Sequence, residues 1–586
     1  MSQFYDQASL VMIPSGYKNG KVYSQKPLST DGEITFSRAS NATRVNSSGL
    51  VEKVRENVLL QSNTFNTTWV TTDASVTSGQ SGYDGTSNAW LLNVTGGTGS
   101  QRIDQPIVLG GLNTYSVYLK AGTVNWVALR NTGSSSALVW FNLANGTKGA
   151  NPNSALNYTI TSVGSGWYRC TLTLNSTTDK VYIYPSTADN FAGLNCTSGD
   201  NILIQSAQLE TGDIATDYIA TTTSAVSVGP VSGLPRLDYS GGCPSLLLEP
   251  QRTNLALYSE QFDNAYWTKN RTTITANVSA TLDPTGLNGA DKIVETATSL
   301  FHGIERAFGT LSGSHSLSVF AKAAERNWVY IEFFTGSTSY TTFFNLSTGA
   351  IGTSAIGNNA KIEAYGNGWY RLSISRAAGA GTSFFVAGTA SADNTASYVG
   401  DGTSGAYFWG AQIEAGAYAS SYIPTLSTAV TRVDELAYKT GISSLIGQTE
   451  GTLFIDIEPQ DISGGGRYFG IESASGPGSG WIAIISQGST PNTFRFYGNA
   501  FDFTGGPALR GVRAKAALAY KNGVQTSAYV NGVSVGTLTE NTTGASFATT
   551  KLAYGPFGNN GCCDFHQALI FPTALSNAQL AELTSL

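Results

Sequence analysis

The sequence predicts an all-β protein built from tandem β-sandwich or jelly-roll domains, and three observations support this fold class. Only 12% of the 586 residues are charged and 66 are glycine, a composition that suits short strands joined by tight turns. Apolar and polar residues alternate over short runs, as in YSVYLKA at 115–121. Such runs recur roughly every 8–12 residues between Gly, Asn and Ser clusters, which is typical of sandwiches.

Composition and charge also exclude several classes of function. The chain carries 33 basic and 39 acidic residues, a net charge of -6, whereas nucleic-acid binding needs clustered Lys and Arg. Long uncharged apolar stretches of the kind that span a membrane are absent from the sequence. The N-terminus lacks a basic region followed by an apolar core, so we expect synthesis in the cytoplasm without a secretory signal.

The first element is the N-terminal segment, residues 1–56. Its run ASLVMIP at 8–14 is apolar enough to add a strand to an unpaired sheet edge. Because residues 1–35 match neither the repeats nor a sandwich pattern, we expect them to attach the chain to another protein.

The second and fourth elements are two copies of one module. SGWYRC at 165–170 returns as NGWYRL at 367–372, so Trp167 and Trp369 are equivalent. The matches extend outward and define β-sandwich repeat 1 at 57–222 and repeat 2 at 253–430. Self-similarity at a fixed spacing indicates duplicated domains.

The third element, residues 223–252, is predicted to be a linker because it contains the Gly/Pro-rich run GPVSGLP. An arginine followed by an apolar residue and then Asn or Asp precedes each of three modules, at Arg44, Arg236 and Arg432. These arginines either pair with an acidic group on the preceding module or remain solvated.

The fifth element, residues 431–586, differs from the repeats. Alternating strands flank two Asn-Gly turns, at 522–523 and 531–532, which are strong hairpin signals. A short helix closes the chain, with Ser576 and Gln579 as its capping box.

The closing order AYVNGVSVG, then ALIFPTALSNAQLAELT, resembles the C-terminal half of concanavalin A-like or laminin-G-like jelly rolls. The resemblance covers roughly 451–586 and implies a concanavalin A-like jelly roll for the last domain.

The repeats, with GWYR, FNLxxG and the AQ(L/I)E motif, resemble carbohydrate-binding-module-like domains of bacteriophage tail-fibre and other virion proteins, over about 30–430. This resemblance implies a non-enzymatic virion protein, a tail fibre or tail-associated protein in host adsorption that contacts host cell-surface glycans. The alternative is a capsid-attached fibre, decoration or tail-assembly component with a purely structural role. A homotrimer, and attachment to other virion proteins through residues 1–35, follow from the same resemblance.

An enzyme is not expected, because the three histidines lie in no triad or zinc-binding pattern. Glu210 and Glu414 occupy equivalent positions in the repeats, and we expect them to pair structurally. A cofactor is not expected, although a calcium ion at DNTASYVGDGTSG (393–405) or GCCDFH (561–566) is an alternative. Cys170 and Cys196 either pair or remain free thiols.

Tryptophans repeated between the modules are expected to pack in the cores. Two unmatched ones are the candidate ligand-binding residues. Trp409 falls where repeat 1 has Gln205, which suggests partial exposure, and Trp481 follows the loop GPGSG. For both, local packing is the alternative to contact with a ligand or partner.

Overall fold

The computed structural model describes residues 2–97, 100–153, 155–191, 195–460, 466–473, 480–486, 492–498, 501–539, 546–552 and 562–586. The chain divides into two compact units, residues 1–53 with 230–586, and residues 54–229. The second unit contains repeat 1, and the first contains repeat 2 and the C-terminal jelly roll.

The N-terminal part begins with helix α1 (Ser2–Gln7) and continues in short strands. Their bounds are β1 Leu10–Met12, β2 Gly16–Lys18, β3 Lys21–Tyr23, β4 Glu33–Ser37, β5 Thr43–Val45, β6 Val51–Lys53 and β7 Arg55–Asn57.

Repeat 1 is a sandwich of two sheets, ordered β16-β17-β12-β19-β10-β9 and β15-β14-β13-β18-β11-β8. Its strands are β8 Val70–Thr72, β9 Ala74–Gln80, β10 Ala89–Val94, β11 Arg102–Leu109, β12 Leu112–Ala121, β13 Trp126–Gly133, β14 Ala137–Asn142, β15 Thr147–Lys148, β16 Asn157–Gly164, β17 Trp167–Asn175, β18 Thr178–Ser186 and β19 Asn201–Thr211. The two inner faces enclose one apolar core.

The linker contributes strands as well, and repeat 2 follows with the strand order of repeat 1. The linker strands are β20 Val226–Val228, β21 Leu237–Asp238, β22 Ser245–Leu248 and β23 Arg252–Asn254. The repeat 2 strands are β24 Thr268–Asn270, β25 Thr272–Thr275, β26 Asp291–Glu295, β27 His302–Thr310, β28 Ser314–Ala323, β29 Trp328–Phe334, β30 Ser339–Asn345, β31 Ala350–Ser354, β32 Lys361–Ala364, β33 Tyr370–Ala377, β34 Thr382–Ala390 and β35 Gly405–Ala415. Its sheets run β32-β33-β28-β35-β26-β25 and β31-β30-β29-β34-β27-β24.

The two repeats share their strand register. Val117 pairs with Cys170 in repeat 1, and Val319 pairs with Leu372 in repeat 2. Most of the repeated tryptophans are buried as expected, although Trp126 and Trp328 remain partly exposed. The two repeats therefore have the same strand order and the same pairing at these positions.

The jelly roll packs two sheets around a third core. The short strand β36 Val430–Arg432 precedes it and pairs with β23. The strands of the jelly roll are β37 Leu436–Thr440, β38 Glu450–Pro459, β39 Arg467–Ser473, β40 Trp481–Ser486, β41 Thr493–Gly498, β42 Phe501–Pro507, β43 Ala514–Lys521, β44 Gln525–Val530, β45 Val533–Leu538, β46 Phe547–Leu552 and β47 Cys563–Phe571, followed by α2 Asn577–Thr584. The β38 sheet runs β21-β22-β47-β38-β43-β44-β45, with β1 also on β47, and the β40 sheet runs β2-β3-β4-β37-β46-β39-β40-β41-β42.

Local signals in this domain form as predicted. Asn531 and Gly532 both have positive φ, 50° and 80°, as a two-residue hairpin requires. Ser576 and Gln579 form the capping box of α2. The helices α1 and α2 cover the outer face of the β38 sheet, where Phe4 and Leu580 are buried.

The N-terminal segment and the linker enter the jelly roll, which corrects the expectation that residues 1–35 lie outside the sandwiches. Strand β1 pairs with β47, and the bridge between Val11 and Lys26 occupies its other edge. Strands β2–β4 extend the β40 sheet, and β22 pairs with β47. The edge of β1 is therefore used within the chain, and attachment to another protein through this segment stays a prediction.

A buried ion network joins the lead-in, the linker and the jelly roll in the first unit. Glu435 accepts from Arg38 Nη1 at 2.6 Å and from Arg236 Nε at 2.8 Å. Glu249 pairs with Arg236 at 2.8 Å and with Arg432 at 2.9 Å. All five groups are at most 3% exposed. Arg236 and Arg432 therefore pair with acidic groups, as one of the two expectations held, but these groups are Glu249 in the linker and Glu435 at the start of the last domain, and not residues of the preceding module.

Candidate functional site

The outer face of the β40 sheet is the candidate functional site. Strands alternate their side chains between faces, so Ile482 and Ile484 enter the core while Trp481 and Ala483 face outward. In the same way, TFRFYG at 493–498 sends its phenylalanines inward and Arg495 and Tyr497 outward.

Cross-strand register places the outward residues in rows. The central row includes, on five neighbouring strands, Lys551, Gly470, Ala483, Tyr497 and Asp502, and beyond Lys551 it continues to Tyr438 of β37. Gly470 and Ala483 are small, so they form a low floor between Lys551 on one side and Tyr497 on the other. A Cβ on Gly470 would come within 2.9 Å of the Ile482 carbonyl oxygen, so this floor requires glycine.

Two aromatic side chains border this floor. Trp481 and Tyr497 are partly exposed, and their ring centroids lie 4.8 Å apart at 51°. Arg467 Cζ lies 4.5 Å from the Trp481 ring centroid, and Arg495 Cζ lies 4.4 Å from that of Tyr497. These cation–π contacts fix the ring orientations, so the pair presents a preformed aromatic surface.

Charged groups surround the aromatic pair. Arg495 donates to both carboxylate oxygens of Asp502, at 2.7 and 2.5 Å, and Lys551 pairs with Glu472 at 2.7 Å. The side-chain hydrogen bond to Asp502 raises the pKa of Arg495, while burial lowers that of Arg467. The face therefore carries fixed donors and acceptors beside apolar ring surface.

The Trp481 side chain is partly exposed, beside a depression of about 10 Å³ that Arg467, Gly470 and Glu472 also line. Residues 476–479 of the preceding loop lie outside the described residues. Contact between Trp481 and a ligand stays a prediction.

The expectation that Trp409 is partly exposed is wrong. Trp409 is 0% exposed and lies in an apolar cluster with Phe320, Trp369 and Tyr422. The hairpin of β5 and β6 covers this cluster, because Val51 belongs to it and donates its backbone N–H to the Pro284 carbonyl at 2.8 Å. A segment of the same chain therefore covers the Trp409 side chain and leaves none of its surface exposed to a ligand.

Gln205, the residue equivalent to Trp409, explains the error. It is also 0% exposed, and its Oε1 accepts from the Tyr83 backbone N–H at 3.0 Å. Gln205 holds a loop of repeat 1, whereas Trp409 packs under a hairpin. The difference between Gln205 and Trp409 therefore reflects the segment that covers each sheet, and does not indicate exposure to solvent.

A larger cavity, about 70 Å³, lies inside the first unit beside this hairpin. Asp238, Asp564, Glu363 and Arg371 line it, and it has room for a few water molecules. Burial, together with the nearby Asp238 and Glu458 carboxylates, raises the pKa of Asp564 to about 8. Asp564 accepts from Ser245 at 3.0 Å, so the cavity belongs to the junction between linker and jelly roll.

The paired glutamates are structural, as expected. Glu210 accepts from the Thr216 backbone N–H and hydroxyl, at 2.9 and 2.6 Å. Glu414 accepts from the same two groups of Ser420, at 2.7 and 2.6 Å. Burial raises the pKa of Glu210. Each carboxylate thus closes the turn that follows its strand.

The segments considered for calcium use their carboxylates within loops. Asp401 accepts from the backbone N–H groups of Thr403 and Ser404, at 2.8 and 2.7 Å, and Asp393 accepts from that of Thr353 at 2.8 Å. Within the described residues, groups of three or more His, Cys, Asp or Glu that could hold a metal are absent. Gly561 of the second segment lies outside those residues, and calcium stays an untested alternative.

The remaining sequence expectations concern the thiols and the helices. Cys170 and Cys196 are both buried and free, so of the two alternatives, a disulfide or free thiols, the structure has free thiols. Burial raises the pKa of both thiols. Among the described residues, neither helix is long and apolar enough to cross a membrane.

Sequence reasoning missed Arg467, Tyr497 and Arg495 as members of the face. The alternation in TFRFYG carries the signal for the last two. The pairing register of β39 shifts between Arg467 and Phe469. A strict alternation of side chains along the strand therefore does not place Arg467 on the same face as Trp481.

No family profile and no curated protein sequence matches the chain. Solved structures that it resembles include carbohydrate-binding and laminin G domains. The CBM40 domain of the Ruminococcus gnavus IT-sialidase, bound to α2,3-sialyllactose, aligns with 25% of this chain and 91% of its own, at 13% identity and a TM-score of 0.21. The tandem CBM22 domains of Paenibacillus barcinonensis Xyn10C align with 62% of this chain and 97% of their own, at 12% identity and a TM-score of 0.19. Domains LG4-5 of the mouse laminin α1 chain align with 48% and 92%, at 10% identity and a TM-score of 0.16.

Proposed function

We propose that the protein is a non-enzymatic glycan-binding protein and that the outer face of the β40 sheet is a binding surface. The observation that carries this proposal is the partly exposed pair of Trp481 and Tyr497, held by Arg467 and Arg495. The C–H face of a sugar ring packs well on aromatic faces, and neighbouring charged groups hydrogen-bond its hydroxyls.

The shape of the face suits a chain rather than an enclosed small molecule. Gly470 and Ala483 keep the floor low along a row that crosses five strands. Asp502 and Lys551 lie on opposite sides of the floor and the aromatic pair, with side chains 46% and 17% exposed. An oligosaccharide lying across the strands would meet the aromatic pair between these two charged groups.

A glycan array tests this proposal. The full-length chain is applied to immobilised bacterial surface polysaccharides before and after periodate oxidation, which destroys vicinal diols. We expect saturable binding to a subset of glycans and its loss after oxidation. The absence of binding by the folded protein, or binding indifferent to oxidation, would overturn the proposal.

We further propose a place for this binding in a bacteriophage virion, as a tail fibre or tail-associated protein in host adsorption. The support is the sequence resemblance of 30–430 to virion proteins. Several weak sites gain avidity when one particle carries many copies, in particular as a homotrimer. A capsid-attached or tail-assembly role is the second candidate.

Immunogold labelling of purified particles distinguishes these two candidates. Label at the tail tip supports adsorption, label on the capsid or along the tail tube supports the structural role, and unlabelled particles contradict both.

A further inference from the structure

A second surface lies on repeat 1, on the outer face of the sheet β15-β14-β13-β18-β11-β8. The partly exposed Tyr182 lies at its centre, stacked on Tyr184 with ring centroids 5.6 Å apart at 13°. Three cations surround the Tyr182 ring. Arg130 Cζ lies 5.6 Å from its centroid, and Arg102 Cζ and Lys180 Nζ each lie at 5.7 Å.

The positive charge of this cluster is only partly neutralised. Asp104, which is 1% exposed, accepts from Arg102 at 2.9 Å and lies 3.2 Å from Lys180. Three cations and one carboxylate give +3 - 1 = +2 around one ring, in a chain whose net charge is -6. Asp179, at the start of the same strand, accepts from Thr132 at 2.7 Å.

Repeat 2 lacks this cluster although it keeps the fold. Arg130 pairs with Tyr182 across the sheet, and Glu332 pairs with Val386 at the equivalent positions. The core residues that alternate with them remain apolar, as Leu129 and Ile331 show. The sandwich therefore does not require the cations or the tyrosine.

We infer that this surface of repeat 1 binds an acidic saccharide, a glycan with carboxylate-bearing sugars such as uronic or sialic acids. The Tyr182 ring offers a face for the sugar, and the guanidinium groups of Arg102 and Arg130 suit a carboxylate, which they can bind through paired hydrogen bonds. This inference rests on residues of repeat 1, whereas the proposed function rests on residues of the β40 sheet. The two therefore share only the class of ligand.

The cluster favours a saccharide over a nucleic acid. Nucleic-acid sites carry cations along an extended track that follows the phosphates. Here the cations converge on one aromatic ring, which matches a single charged sugar.

Affinity electrophoresis of the full-length chain tests the inference. Gels contain polygalacturonate, alginate or polysialic acid, and a control gel contains carboxyl-reduced polygalacturonate. The variants Arg130→Glu and Tyr182→Val carry the residues of repeat 2, so the fold is expected to tolerate them. The control Lys148→Glu makes the same charge change elsewhere on repeat 1, where Lys148 lies over Tyr158.

We expect at least one acidic polysaccharide to retard the wild-type chain and its carboxyl-reduced form not to. Arg130→Glu should weaken that binding about tenfold or more, and Lys148→Glu should leave it near wild type. Because Arg130 lies on β13 of repeat 1, a loss in Arg130→Glu with Lys148→Glu near wild type assigns the binding to this surface and not to the β40 sheet.

Three outcomes would overturn the inference. These are no retardation by any of the three acidic polysaccharides, equal losses in Arg130→Glu and Lys148→Glu, or retardation only by single-stranded DNA with the same dependence on Arg130. The last would identify a nucleic-acid surface instead.

Discussion

Replacing Glu435 with glutamine should strongly destabilise the first unit. Glu435 is buried and is a common counter-charge for Arg38 and Arg236, and it also accepts from the Glu249 backbone N–H at 3.0 Å. Glutamine keeps the shape of the side chain but carries no charge, so the positive charges of two buried guanidinium groups lose part of their compensation. Breaking a buried pair in this way lowers the free energy of unfolding by about 3–5 kcal/mol.

The pH dependence follows from the same contacts. Burial by itself would raise the pKa of Glu435, but Arg236 and Arg38 outweigh it and hold the pKa below its ordinary value. A lowered pKa in the folded state stabilises the fold above the ordinary value of 4.5, and this stabilisation is lost as pH falls below it. The wild type should therefore lose stability in acid more steeply than Glu435→Gln.

The assay is urea unfolding of the full-length chain at neutral pH, followed by tryptophan fluorescence. Glu52→Gln is the matched control, because Glu52 pairs with Arg44 at 2.7 Å with both side chains partly exposed. Such a pair contributes about 0–1 kcal/mol. Equal, small losses in the two variants would refute the reasoning.

The other predictions concern the junction, the hairpin and the N-terminus. Because the pKa of Asp564 is raised from its ordinary value of 3.8 to about 8 in the folded state, its protonated carboxyl group stabilises the fold fully below pH 3.8, and this stabilisation is lost as pH rises to about 8. Asp564→Asn should therefore flatten the fall in melting temperature between about pH 4 and 8; an unchanged slope would contradict this. Trp409→Ala should lower the free energy of unfolding by about 3–5 kcal/mol without changing glycan binding, and weaker binding by the folded variant would show that Trp409 has a ligand role. Deleting residues 1–12 should lower the melting temperature of the first unit, because it removes β1 from β47 and Phe4 and Ala8 from their core; an unchanged melting temperature would show that this segment does not stabilise the jelly roll.

Features encoded locally could be predicted from the sequence. The duplicated GWYR motif predicts that β17 and β33 are equivalent strands. In the structure β17 pairs with β12 in the same register in which β33 pairs with β28. The Asn531-Gly532 hairpin and the α2 capping box also follow from short motifs.

Long-range pairing could not be predicted in the same way. The pattern of β1 shows that it suits a strand, but not that its partner β47 lies more than 500 residues away in the chain. For Trp409, comparison with Gln205 revealed a difference between the repeats, yet only the three-dimensional structure shows that a hairpin covers one and a loop covers the other.

The central claim is that the aromatic pair on the β40 sheet binds glycans, and titration calorimetry with a glycan selected on the array tests it most directly. Trp481→Ala should weaken binding roughly 30-fold, as loss of a central aromatic contact does. Trp328→Ala removes another partly exposed tryptophan, in repeat 2, and should bind like the wild type. Wild-type affinity in a folded Trp481→Ala variant would contradict the account.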